Sequence, residues 1–141
     1  MRVKRASAAL ACALALTIAA CGDNGPNVPT AQNVAGTYMA TTFLATTGGV
    51  TTNMLTSGAS VTLILGADGT TSGRLFVPAS VTPQVDVPLT GTWTFFNATD
   101  IDIASNSDTF LRDMLFTVSG NTLVGDQTFN ATRIQIVLTK Q

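Results

Sequence analysis

The chain has no histidine and no glutamate, and it has only two cysteines, at positions 12 and 21, among its 141 residues. Without histidine, the most common general base of enzymes and the usual partner of a catalytic cysteine are absent. A zinc site of His and Cys ligands is excluded, and residues 22–141 contain no cysteine for an internal disulfide. We therefore expect no enzymatic activity, no catalytic residues, no metal site and no cofactor.

Charge is also scarce, with seven Lys and Arg and eight Asp in the whole chain. Three of the basic residues lie within positions 1–5. If residues 1–20 are removed, four basic residues remain against eight Asp, and the net charge becomes −4. Binding to phosphate groups needs clustered Lys and Arg, so we expect no nucleic-acid partner and no polybasic membrane patch.

The N-terminus has the pattern of an export signal. Basic residues in 1–5 precede an uncharged, mostly apolar stretch over 6–20. This stretch is shorter than the roughly 20 apolar residues that a membrane-spanning helix needs. Its end, Ile18-Ala19-Ala20-Cys21, resembles the lipobox of bacterial lipoproteins, although that family prefers Leu at the position of Ile18.

The lipobox resemblance implies that residues 1–20 are a signal peptide and that Cys21 is lipidated as the first residue of the mature protein. The membrane is then a partner through the acyl chains on Cys21. The implied location is the bacterial cell envelope, and Gly22 at the second mature position favours the outer membrane by the family's sorting rule. The alternatives are ordinary cleavage near Ala20, which leaves a free thiol, and lipidation at Cys12.

Residues 21–33 have the composition of a flexible linker, because 22–33 hold two Gly, two Pro and three Asn. We place the folded domain at 34–141. About a third of this domain is Thr, Val or Ile, while Lys occurs once. Such β-branched residues favour strands, and the best surface helix formers are missing.

Alternation of apolar and polar residues predicts the strands themselves. Over 87–95 the odd positions are apolar or Gly, and the even positions from 90 to 94 are Thr. This period of two is typical of a half-buried strand. Asp68-Gly69 predicts a hairpin turn, and three Pro within 78–88 predict a longer loop without central pairing. We place strands near 34–45, 60–66, 71–77, 88–96, 99–104, 112–118, 122–128 and 131–139, with a weaker one at 50–56.

Eight or nine short strands in hairpin order predict an all-β, antiparallel meander. A single open sheet of this length would expose its edges and one apolar face. Closure into an up-and-down barrel of about eight strands removes both problems and is the favoured fold. A β-sandwich is the alternative. We expect the protein to be a monomer.

The segment Val34-Ala35-Gly36-Thr37-Tyr38 resembles the first strand of lipocalin-like domains, which carries Gly-x-Trp, with Tyr38 here in place of Trp. Gly91-Thr92-Trp93 repeats the pattern, and 61–73 resembles the mid-barrel hairpin of small bacterial lipocalin-like lipoproteins. The resemblance implies a barrel that binds small apolar molecules in its interior. Lipocalins also place an Arg from the last strand over the first-strand Trp; the alternation around Arg133 instead predicts a solvated side chain.

Aromatic residues are the candidate ligand pocket, on the hypothesis that they line the barrel interior; they are Tyr38, Trp93, Phe95, Phe116 and Phe129. Alternatively these aromatic side chains fill the interior, because the interior of an eight-stranded barrel is narrow enough for side chains alone to occupy it. The first hypothesis makes the protein a binder of a small apolar ligand. The second makes it a protein-interaction or structural module of the envelope, such as a hydrolase inhibitor. We expect Asp100 and Asp102 to be a solvated strand face.

Overall fold

A computed structural model describes residues 28–81 and 83–141. The predicted signal peptide and Cys21 lie outside these residues. The described chain contains one short helix and ten strands: α1 (Ala31–Val34), β1 (Gly36–Thr47), β2 (Val50–Asn53), β3 (Ser60–Leu65), β4 (Thr70–Val77), β5 (Val85–Pro88), β6 (Gly91–Phe95), β7 (Asp100–Ser105), β8 (Phe116–Ser119), β9 (Thr122–Phe129) and β10 (Thr132–Lys140).

Eight of these strands close into an antiparallel barrel in the order β1-β3-β4-β6-β7-β8-β9-β10. The ring closes because β10 pairs back onto β1, from Tyr38 opposite Lys140 to Thr47 opposite Thr132. This pairing removes both edges that an open sheet would expose. The predicted all-β barrel is confirmed, and the β-sandwich alternative is not the fold that forms.

The two remaining strands extend the wall at one end of the barrel. Strand β2 pairs with residues 44–47 of β1, and β5 pairs with residues 74–77 of β4. Both β1 and β4 run antiparallel to β3, so their C-terminal halves lie at the same end. We call this the open end, and we call the opposite end, where β1 begins, the closed end.

The core follows the alternation seen in the sequence. Val61, Leu63 and Leu65 of β3 are buried, as are Ile101 and Ile103 of β7, while the residues between them are exposed or half-buried. Gly125 allows the backbone of β9 to pack closely against Met114 in the core, because a Cβ at this position would lie 2.2 Å from the Met114 sulfur. The inward faces thus meet in one continuous apolar core.

Helix α1 covers the closed end. Thr30 and Asn33 form a reciprocal capping box that starts the helix, and Val34 at its end is buried. The phenol of Tyr38 donates a hydrogen bond to the carbonyl of Val34 at 2.6 Å. Beside them, the indole Nε1 of Trp93 donates to the carbonyl of Gly66 at 2.8 Å. Within the described chain, α1 is much too short to cross a bilayer and no longer apolar helix accompanies it.

The structure departs from the predicted strands in one predicted loop and at the start of one predicted strand. The loop predicted over 78–88 contains β5, in which Pro88 lies opposite Arg74. Proline is tolerated there because β5 pairs with β4 alone and is therefore an edge strand. The strand predicted from 112 begins only at Phe116, because 109–113 fold into a turn in which the amide of Arg112 donates to the carbonyl of Thr109.

Candidate functional site

A cavity of about 500 Å³ opens at the open end of the barrel. Its lining comes from β1, β2, β4, β5 and β10, from the loops after β2 and β4, and from the loop that joins β7 to β8. The lining is chiefly apolar and consists of Phe43, Ala45, Thr47, Val50, Thr52, Met54, Leu75, Val77, Val81, Val85, Asp108, Thr109, Phe110, Thr132 and Ile134.

The cavity forms where the sheet divides. Strand β1 pairs with β3 only over residues 36–39, and beyond that point its edge is taken by β2. On the other side, β4 continues toward the open end between β3 and β5. The β1–β2 hairpin and the β4–β5 pair therefore form two walls with apolar side chains between them. The barrel is thus closed at one end and split at the other.

A bulge in β1 turns its second half toward this cavity. Between Ala40 and Thr42 the pairing with β10 shifts by one residue. Before the bulge the even-numbered Tyr38 is buried, whereas after it the odd-numbered Phe43 is buried and Ala45 lines the cavity. A shift of one residue exchanges the two faces of a strand. The bulge therefore places Phe43 and Ala45 inside.

Phe110 extends from the β7–β8 loop across the open end. Its ring centroid lies 5.4 Å from that of Phe43 and 6.5 Å from that of Phe129. Leu111 and Met114, in the same loop, are almost completely buried and hold the loop against the core. Phe110 itself is only half-buried, so that its ring forms an aromatic wall of the cavity.

The polar groups of the cavity are four threonines and one carboxylate. The hydroxyls of Thr47 and Thr132 lie 2.7 Å apart and share a hydrogen bond across β1 and β10. The hydroxyl of Thr109 is buried and has no hydrogen-bond partner among the described residues. Asp108 accepts a hydrogen bond of 2.6 Å from Nη2 of Arg112. The cavity therefore combines an apolar interior with a few polar groups, as small-molecule sites do.

Charged side chains around the open end are paired with one another. Arg112 bonds to Asp113 as well as to Asp108, and these contacts raise the pKa of its guanidinium, with the Asp113 hydrogen bond as the largest cause. Arg133 bonds to Asp126 on β9, and this hydrogen bond lowers the pKa of the Asp126 carboxyl. Arg133 thus lies exposed on the outer face, as its strand alternation predicts.

The structure distributes the five predicted pocket residues rather than gathering them at the cavity. Tyr38, Trp93 and Phe116 are buried in the core. Phe95 is half-buried and packs edge-to-face on Trp93, with ring centroids 5.5 Å apart. Phe129 reaches the cavity wall only through Phe110. None of the five belongs to the cavity lining given above.

Sequence reasoning missed Phe43, Met54 and Phe110 as lining residues. The bulge reverses the alternation that Tyr38 establishes, so that Phe43 appears to point outward when β1 is read as a regular strand. Met54 and Phe110 lie in connections between strands, where no period of two exists. The available signal was the presence of large apolar residues inside otherwise polar loops.

Asp100 and Asp102 lie on the outer face of β7, where their neighbours Ile101 and Ile103 point inward. Asp100 accepts hydrogen bonds from Thr117 at 2.7 Å and from Asn97 at 2.6 Å. The bond from Thr117 is the main reason that the pKa of this carboxyl is lowered. Across residues 28–81 and 83–141, no three His, Cys, Asp or Glu side chains come together to form a metal site.

Comparison with known proteins gives no relative: no protein-family model matches the chain, and neither a curated protein nor a solved structure does. The fold is consistent with the lipocalin-like resemblance of the sequence but is not specific to it. Several unrelated families use closed antiparallel barrels, and a fold alone does not define a function. The function therefore has to be argued from the cavity.

Proposed function

We propose that the protein binds a small apolar ligand in the cavity at the open end of its barrel. The observation that carries this proposal is the cavity itself, whose volume of about 500 Å³ lies in the range typical of small-molecule sites. Apolar side chains from both walls would remove the ligand from water, and Phe110 would cover it. Burial of apolar surface is the main source of affinity in such sites.

The packing of the closed half of the barrel interior supports this choice of binding region. The closed half is filled by buried side chains such as Tyr38, Leu65 and Trp93, and it is capped by α1. A rigid base of this kind allows a cavity to keep its shape without a ligand. We therefore expect the cavity to be present in the free protein and not to form only when a ligand binds.

A protein-interaction module would be favoured by one large, continuous apolar surface. The large apolar residues that are exposed in the described chain, which also include Val28, Leu115 and Val124, are spread over both ends and the outer face of the barrel. Val50 is in β2 at the open end, Phe96 is in the β6–β7 turn at the closed end, and Met39 and Ile64 are on the outer face of β1 and β3. This distribution favours the ligand-binding proposal.

We propose that the domain acts in the bacterial cell envelope, exported by residues 1–20 and held at the outer membrane by lipid on Cys21. The support is the sequence pattern of the N-terminus. The described chain begins at the closed end of the barrel, at Val28, next to α1. A tether that joins the domain there leaves the cavity accessible at the opposite end.

Calorimetric titration with 1-decanol tests the binding proposal. The protein used is the full chain with Cys21→Ser, so that no acyl chain of its own competes for the cavity. We expect saturable binding at micromolar concentration, which corresponds to about −8 kcal/mol. Ala45→Phe places a ring in the cavity and should weaken binding at least tenfold, because Ala45 is part of the lining.

The matched control is Ala104→Phe, which adds the same ring on the outer face of β7, where Ala104 is exposed. Binding to this variant should equal that of the parent chain. Absence of saturable binding to the parent chain would overturn the proposal, and so would equal loss of affinity in both variants.

A further inference from the structure

We propose that the cavity selects uncharged apolar ligands and discriminates against carboxylates such as fatty acids, with Asp108 as the residue that sets this preference. The inference rests on the proposed function, because it names the class of ligand that the same cavity accepts. Its basis is the charge of the lining, which contains one carboxylate, that of Asp108, and neither Lys nor Arg.

The basic side chains near the open end are already paired with Asp residues of the described chain. Arg112 bonds to Asp108 and Asp113, and Arg133 bonds to Asp126. Arg74 of β4 forms two hydrogen bonds of 2.7 Å with the carboxylate of Asp86 on β5. A carboxylate ligand would have to share one of these already paired guanidinium groups to gain a cationic partner. Without such a partner, its charge is costly to remove from water.

Lys140 is also directed away from the cavity. Its Nζ donates to the carbonyl of Asn33 in α1 at 2.9 Å, which places the ammonium group at the closed end. The described domain has four basic residues against seven Asp, so that its overall field also disfavours an approaching anion. Both the local and the overall charge therefore point to the same preference.

The polar groups of the cavity are suited to an uncharged ligand. Threonine hydroxyls can donate to a carbonyl and accept from an alcohol, so Thr47, Thr52 and Thr132 can satisfy either group. An alcohol or ester at the cavity entrance needs no counter-charge. A carboxylate in the same position would approach Asp108, whose side chain is 86% exposed beside the cavity, and like charges repel. The geometry therefore favours alcohols, esters and related uncharged amphiphiles.

A pair of probes that differ only in head group tests this inference. The full chain with Cys21→Ser is titrated with 1-decanol and with decanoate at pH 8, where the fatty acid is ionised. We expect decanoate to bind at least tenfold more weakly than 1-decanol. Asp108→Asn should raise the affinity for decanoate several-fold relative to that for 1-decanol, because it removes the carboxylate from the lining and frees one contact of Arg112.

Asp113→Asn is the matched control. Asp113 is the other carboxylate bonded to Arg112, but it is not part of the cavity lining. This variant should leave the ratio of the two affinities as it is in the parent chain. Equal binding of the two probes, or equal effects of the two Asn variants, would overturn the selection by Asp108 while leaving ligand binding intact. If neither probe binds, the proposed function itself is wrong.

Discussion

Gly91 and Trp93 of β6 are two positions at which the surrounding atoms restrict the size of the side chain. A Cβ on Gly91 would lie 2.1 Å from the carbonyl oxygen of Ala104 on β7, so that no side chain fits without moving the backbone. Two residues later, Trp93 is almost completely buried and satisfies its indole N–H on Gly66. The same strand therefore needs its smallest and its largest residue at neighbouring inward positions.

We predict that Gly91→Val and Trp93→Asp each lower the free energy of unfolding by about 3 kcal/mol or more. The first forces two strands apart, and the second buries a charge without a partner. Asp102→Asn, on the outer face of the adjacent strand, should change it by no more than about 0.5 kcal/mol. Urea unfolding of the three variants measures this, and an Asp102 variant as unstable as the Trp93 variant would contradict the assigned faces.

Tyr38 is the only tyrosine of the chain, and burial raises the pKa of its phenol above the ordinary value of about 10. The unfolded chain therefore loses this proton at lower pH than the folded protein does. The contribution of the Tyr38 phenol to the free energy of unfolding is therefore fully present below about pH 10 and decreases as the pH rises further. We predict a phenol titration midpoint above 10, observable as tyrosinate absorbance.

The variant Tyr38→Phe gives the comparison for this titration. It removes the hydrogen bond to the Val34 carbonyl and should cost about 1 kcal/mol at neutral pH. Its stability should fall less steeply than that of the parent chain above pH 10. A midpoint at the value of a free tyrosine, with the fold intact, would show that the phenol is not buried under α1.

At the scale of strands and loops, regular alternation could be predicted from the sequence and its interruptions could not. The inward residues of β3 and β7 follow the period of two, and Asp68-Gly69 forms the expected turn between β3 and β4. The bulge between Ala40 and Thr42 carries no special residue such as Gly, so nothing marks the change of face that it causes. The cavity depends on that bulge, which is why its lining was not predicted.

Two pairs of neighbouring strands at the open end are joined by ion pairs, Arg74–Asp86 between β4 and β5 and Arg133–Asp126 between β9 and β10. The arginine hydrogen bonds lower the pKa of both carboxyls below the ordinary value of about 4. In the unfolded chain these carboxyls take up protons at higher pH. Their contribution to stability is therefore present above about pH 4 and is lost as the pH falls through the lowered values.

We predict that the melting temperature falls on acidification from pH 6 to pH 2.5, and that Asp86→Asn and Asp126→Asn each reduce the size of this fall. The matched control is Asp102→Asn, because Asp102 makes no ion pair in the described part of the chain. Thermal melts over this pH range measure the effect. An acid dependence identical in all four proteins would assign the loss of stability to other groups.

At the scale of the whole molecule, the barrel divides into a filled half and a half that contains a cavity. The eight-stranded closure follows from strand number and from the need to remove edges, and both could be predicted from sequence. The cavity depends on where the wall splits into the β1–β2 and β4–β5 pairs and on how Phe110 covers the gap. These features are set by packing of distant segments, which local patterns do not encode.

We predict that the mature protein begins at Cys21 and carries acyl chains there, which attach the whole molecule to the membrane. The intact mass of protein isolated from the cell envelope measures both the cleavage site and the lipid. Cys21→Ser should abolish acylation and release the protein from the membrane fraction. A soluble, unmodified parent protein that begins at any other residue would contradict this prediction.

The central claim is that an apolar ligand binds at the open end and not among the aromatic residues of the closed end. Nuclear magnetic resonance of the full chain with Cys21→Ser, titrated with 1-decanol, tests it directly. We predict saturable shifts of the methyl signals of Met54 and Val77, which line the cavity, and no shift of the Trp93 indole N–H signal, which is bonded to Gly66. A saturable shift of the Trp93 signal with unchanged Met54 and Val77 signals would contradict the account.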